Sequence, residues 1–129
     1  NMAPRFPRQW ILEILRDADR SKLLALGDDL PDGDKLTVYR GVIDVDNPNR
    51  IRCASWTLSP GIAAWFATEA SRNEKRNKPG VFTLNVSKEK VFFYTNVRGE
   101  QEVVVDMSPQ ARPKLVDPMP KPVMPEADA

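Results

Sequence analysis

The sequence predicts an α+β fold, and three observations point to it. Apolar residues recur with helical spacing near the N-terminus. The period changes to two after residue 35, and a single Ser-Pro helix start interrupts the alternating segments. In the first segment Trp10, Ile11, Ile14 and Leu15 recur at i, i+1, i+4 and i+5, one apolar stripe, and Pro7 suits a first helical turn. Residues 20–26 read as a second short helix, stopped by Gly27. The acidic run 28–34 is rich in turn formers and reads as a loop.

Residues 36–42 alternate and read as a strand, with Leu36, Val38 and Arg40 on one face. Residues 44–50, which contain Asn47-Pro48-Asn49, read as a loop. Residues 51–57 read as a second strand, with Ile51, Cys53, Ser55 and Thr57 on one face and Trp56, continued by Leu58, turned to the core. At Ser59-Pro60 the serine caps and the proline takes the first helical position, so a helix starts there. Its apolar stripe is Ile62, Trp65, Phe66 and Ala70. A polar, basic loop over 71–80 follows, then strands over 81–86 and 91–94, a turn over 95–99 and a last strand over 100–105. From Pro109 onward the chain holds six prolines and no aromatic residue, which predicts an extended tail rather than more core. The expected organisation is therefore one domain over 1–107, with helices in 7–27 and a mostly antiparallel strand core in 36–106. Residues 108–129 form the proline-rich tail.

Composition limits the chemistry. At 129 residues the chain supports one core, and 41% hydrophobic with 29% charged residues is an ordinary soluble balance. A formal net charge of +1 argues against a dedicated nucleic-acid binder, although Arg72, Lys75, Arg76 and Lys78 make one basic cluster. No apolar stretch approaches the ~20 residues that cross a bilayer, and no secretory leader pattern opens the sequence. Cys53 is the only cysteine, which points to a reducing, cytoplasmic compartment. Histidine is absent, which removes imidazole-based triads and, with one cysteine, a structural zinc site. Chemistry here has to run on carboxylates, hydroxyls, arginine or lysine, and no metal is expected.

Three places carry such groups. Arg40 shares a face with Leu36 and Val38, and a guanidinium there needs an anion or carbonyls beside it. An Arg–carboxylate pair or an outward-turning strand end would satisfy it; a phosphate or ribose would as well. Ser55 and Thr57 put two hydroxyls where a core face would hold Val or Ile; hydroxyls bonding within a half-exposed strand are the bland alternative. On a strand, Glu100 and Glu102 would project the same way, about 7 Å apart. Two carboxylates held together suit proton handling and cation stabilisation, whereas a solvated strand face would also carry them without any function.

Taken in order, Tyr39-Arg40-Gly41, then Ser55-Trp56-Thr57-Leu58-Ser59 with Ala63-Ala64-Trp65-Phe66-Ala67, then Glu100-Gln101-Glu102 before three valines resemble the ADP-ribosyltransferase family. The likeness is to its arginine–serine–glutamate branch, found in bacterial toxins and phage-encoded modifying enzymes, and it covers about residues 36–106. Trp56 stands where that family usually has threonine, and Thr57 where it has a second serine. The resemblance implies a split, mostly antiparallel β-sheet core. It also implies NAD, as substrate, bound by Arg40, Gly41, Ser55, Thr57 and Phe66. Ser55 would hydrogen-bond the catalytic carboxylate of Glu102, and Glu100 would serve an arginine-type acceptor. The turn over 95–99 would face that acceptor, and the loop over 71–80 would cover the phosphates. The implied reaction is transfer of ADP-ribose to a protein side chain through an oxocarbenium-like transition state that Glu102 stabilises. NAD hydrolysis and a catalytically silent NAD-type binding fold are the competing readings. Nucleic acid is a less favoured acceptor, and no membrane partner is expected.

Overall fold

The structure, a computed structural model, describes residues 8–69 and 78–126, with side chains from residue 13 onward. Two helices come first, α1 (Arg8–Asp17) and α2 (Arg20–Leu26). The Asp19 side chain accepts from the Lys22 backbone N–H and starts α2, and Gly27 ends it, as the sequence predicts. Gly27 is required by packing: a Cβ there would lie 2.1 Å from the Tyr94 carbonyl oxygen. In the predicted stripe of α1, Ile14 is exposed and Leu15 half-buried, while Pro7 and the side chains of Trp10 and Ile11 lie outside the described part.

Six strands follow, β1 (Lys35–Val42), β2 (Ser55–Thr57), β3 (Gly80–Ser87), β4 (Val91–Thr95), β5 (Glu102–Val105) and β6 (Lys114–Leu115). They form one sheet in the order β4-β5-β2-β1-β3-β6, with every neighbouring pair antiparallel. The α+β class and the antiparallel sheet are as expected. The expected split is not seen: the six strands make one continuous sheet, narrowest between β1 and β2. β1 and β3 pair along eight positions, whereas β1 and β2 pair only at Tyr39 and Thr57. Alternation along β1 buries Leu36, Val38 and Val42 on one face. There they meet Trp56, Phe82, Val86, Val91, Val103, Val105 and Met107, so the period-two reading located the core.

Two strand boundaries differ from expectation. Residues 48–51 are helix α3 (Pro48–Ile51), so Ile51 and Cys53 leave the predicted strand and β2 keeps only Ser55–Thr57. The cause is local. The Asn47 side chain accepts from the Asn49 backbone N–H and Pro48 takes the first helical turn, the same start signal as Ser59-Pro60. β5 starts at Glu102 rather than residue 100, because Gln101 sits at φ 49° and breaks the alternation.

Helix α4 (Pro60–Thr68) starts where the sequence places it, with Ser59 Oγ accepting from the Ile62 N–H at 3.2 Å. Its buried side is not the predicted one. Ile62 is buried, but Ala63, Ala64 and Ala67 fill the interface while Trp65 and Phe66 are half-buried and meet edge to face at 5.1 Å; Ala70 lies outside the described residues. The reason is Gly41 of β1. A Cβ there would lie 1.8 Å from the Ala63 carbonyl oxygen, so the helix axis comes in close and only small side chains fit beneath it. Replacing Ser59 with Ala should cost about 1 kcal/mol of stability, as for other lost N-caps, read as a lower urea midpoint at an unchanged m-value. An unchanged midpoint would mean the cap is idle.

The proline-rich segment expected as a tail is bound to the body, and its residues 114–115 join the sheet as β6. Arg52 donates through Nη1 to the Ala111 carbonyl at 2.9 Å and through Nη2 to that of Ser108 at 2.7 Å. β6 then pairs with β3 at Phe82 and Thr83, and Val116 packs against Ala63, Ala64 and Val81. Farther on, the Val123 N–H donates to the Gly61 carbonyl at 2.9 Å.

Candidate active site

The centre of the site is one hydrogen bond between side chains 47 positions apart: Ser55 Oγ donates to Glu102 Oε2 at 2.5 Å. Register brings the two together. Thr57 lies opposite Glu102 and Ser55 opposite Val104, so all four side chains project from one face of β2 and β5. The neighbours Trp56 and Val103 project to the other face and are almost fully buried, which holds the pair of strands against the core. Glu102 is half-buried, and its Oε1 has no protein partner among the described residues. The result is a carboxylate fixed on one side by a charge-assisted hydrogen bond and presented on the other.

Arg40 reaches this pair from the other side of the sheet. It shares the core face with Leu36 and Val38, and its guanidinium crosses the seam between β1 and β2. Nη1 donates to the Ser55 carbonyl at 2.7 Å and Nε to the Arg50 carbonyl at 2.6 Å. The Ala54 carbonyl accepts from Val105 on β5, so alternation turns the Ser55 carbonyl toward β1, where no ladder partner meets it. Arg40 takes that place. Carbonyls are among the partners Arg40 finds, and Ser55 is the link: its carbonyl holds Arg40 and its hydroxyl holds Glu102.

The other predicted site residues are placed differently. The Thr57 hydroxyl is buried and spent on backbone, donating to the Glu100 carbonyl at 2.7 Å and accepting from the Ser59 N–H. Gly41 lies beneath Ala63 of α4 as a packing glycine. Phe66 is half-buried against Trp65. Glu100 precedes β5, so the idea of two carboxylates on one strand face is corrected. The left-handed Gln101 separates them, and the Glu100 carboxylate pairs with Arg98 Nε at 3.4 Å. Arg72, Lys75 and Arg76 of the basic loop lie outside the described residues; Lys78 pairs with Asp46 at 3.1 Å.

Sequence reasoning missed the residues that shape the turn before Glu102. Asp28 Oδ2 accepts from the Asn96 N–H at 2.6 Å, and Asn96 Oδ1 accepts from the Gln101 N–H at 3.0 Å. Both sit in stretches recognisable as turn chemistry, but nothing local couples positions 68 apart. Tyr94 lines the same region, and burial, then the Asp28 charge, hold its phenol above the ordinary tyrosine value. A cavity of about 510 Å³ beside this turn is flanked by Leu26 and Val97; a second, about 340 Å³, lies at the far end of β5 near Met107. Neither is lined by Glu102.

Fold and site together define an α+β protein whose antiparallel sheet presents a carboxylate held by a serine hydroxyl, with an arginine of the opposite face on that serine's carbonyl. No family model, curated protein or solved structure matches the chain. Among the described residues no helix is long and apolar enough to cross a membrane, and no cluster of three or more His, Cys, Asp or Glu is placed to hold a metal ion.

Proposed function

We propose that the chain transfers ADP-ribose from NAD to a protein side chain, with Glu102 as the catalytic carboxylate and arginine as the favoured acceptor. The observation that carries this reading is the Ser55–Glu102 hydrogen bond, with Arg40 on the Ser55 carbonyl. It joins Ser55 and Glu102 by their side chains, while Arg40 lies on the opposite face of the sheet and meets Ser55 at its carbonyl, so the three do not line one cleft.

The chemistry follows from charge. Nicotinamide leaves with the electron pair of its bond to the ribose, and positive charge develops on the sugar. A carboxylate already fixed beside the ribose stabilises that charge more in the transition state than in the ground state. Ser55 occupies Oε2, which leaves Oε1 to accept from the ribose 2′-hydroxyl. An acceptor nitrogen then bonds to the ribose carbon and releases a proton, giving nicotinamide and the modified side chain. Glu100 lies in the turn that leads into β5 and already holds a guanidinium, that of Arg98. This favours an arginine acceptor over lysine or a hydroxyl.

Incubation with labelled NAD and a cell lysate tests the reading. Label on a macromolecule supports transfer, free ADP-ribose alone supports hydrolysis, and no nicotinamide release defeats both. Replacing Glu100 with Gln separates transfer from cleavage. Acceptor labelling should fall by about a hundredfold or more, the size of a lost general base, while nicotinamide release to water persists. Equal loss of both signals would show that Glu100 does not serve the acceptor.

A further inference from the structure

Residues 117–126 cross from α4 to the turn 96–101, and two glycines accommodate them. The Val123 N–H donates to the Gly61 carbonyl, and a Cβ on Gly61 would lie 2.5 Å from Val123 Cγ2 and 2.9 Å from its Cβ. Three residues later, the Glu126 carbonyl oxygen lies 1.9 Å from where a Gly99 Cβ would stand, and Gly99 is buried beneath it at φ 69°. The segment therefore rests on backbone, at two positions where only glycine leaves room.

We propose that residues 117–126 are a detachable strap that competes with a macromolecular acceptor for the turn carrying Glu100. This inference rests on the transferase reading above. The anchor and the strap are held very differently. Upstream, β6 pairs with β3, and Val116 donates to the Val81 carbonyl and packs on the small cluster under α4. Downstream, every residue from 117 to 126 is exposed or half-exposed, with Val123 at 54% and Met124 at 69%. A segment with so little buried apolar surface opens at low free energy, while its anchor stays in place. Pro118, Pro120, Pro122 and Pro125 keep the released chain extended, which lowers the entropy cost of docking again. In the docked state the strap covers Gly99, one residue before Glu100, so an acceptor polypeptide and the strap cannot both lie on that turn.

Full-length variants test this. Val123→Pro removes the N–H that bonds Gly61 and alters only an exposed tail position. Gly61→Ala fills the space of the Val123 side chain, at a helical site where alanine is the better helix former. Transfer to an arginine-rich peptide should rise by about tenfold in both variants, the gain from freeing a site that is open about one-tenth of the time. Transfer to agmatine, a small guanidine that does not need the whole turn, should change little. Hydrogen exchange at the Val123 amide should be slowed about tenfold relative to an open chain in the unsubstituted protein, as for a site open about one-tenth of the time, and this slowing should be lost in Gly61→Ala. No slowing in the unsubstituted chain, or peptide labelling that is equal or absent in all three chains while nicotinamide is still released, overturns the strap alone. No nicotinamide release from any of them overturns the transferase reading, and the strap's role falls with it.

Discussion

Replacing Glu102 with Gln is expected to lower NAD cleavage by about a hundredfold or more, whether the ribose passes to an acceptor or to water, comparable to removing one preorganised electrostatic group. The substitution isolates charge from shape. Ser55 Oγ can donate to an amide oxygen as it does to Oε2, so the side chain keeps its anchor at the start of β5. Val103 and Val105 stay buried on the other face, and the sheet loses no apolar contact. Only the negative charge opposite the developing cation disappears. Nicotinamide release and unfolding in urea, measured on the same preparation, check this: the first should collapse and the second should barely move. Full release by Glu102→Gln would remove the carboxylate from the mechanism.

The second large effect concerns stability. Gly41→Ala should destabilise the fold by about 3 kcal/mol or more, the upper range for overpacking a dense interface. The atoms in the way are backbone, namely the Ala63 carbonyl at 1.8 Å and the Ala67 nitrogen at 2.9 Å from the new Cβ, so no rotamer change relieves the clash. Helix α4 has to lift off β1, exposing Ala63, Ala64 and Val81, all of them now fully buried. Nicotinamide release should fall as well, because α4 follows β2 directly through Ser59, and Thr57 in β2 pins the Glu100 carbonyl. Urea denaturation would show the loss as a shifted midpoint. A midpoint within about 0.5 kcal/mol of the unsubstituted chain, the range of an ordinary surface change, would show that the helix approaches β1 less closely.

Gly41 also shows how sequence and structure divide the information. Beside Arg40, in a motif that resembles an NAD-binding strand, it was expected to approach the substrate. The backbone it admits is that of α4. Trp65 and Phe66 were expected inside on the same footing, as large apolar residues at helical spacing. With the helix this close to β1, that space is left to alanines.

What the sequence determined by itself is whatever short-range geometry decides. Asp19 and Ser59 start their helices through hydrogen bonds to backbone only three residues on. Alternation in β1 sorted Leu36, Val38 and Val42 to one face because strand side chains repeat every second residue. The same kind of signal was present at Asn47-Pro48, where it started a helix in what reads as loop and strand. Tertiary structure alone decided who meets whom. That Ser55 faces Glu102 depends on the register of β2 against β5, and one step of slip would turn either side chain to the opposite face. That Arg40 binds carbonyls depends on β1 and β2 parting after a single pair. Glu100 and Glu102 separate because the backbone at Gln101, shaped by Asn96 and Asp28, turns left-handed before β5 begins. Each of these outcomes joins residues far apart in the chain, and their relative position exists only once the sheet has formed.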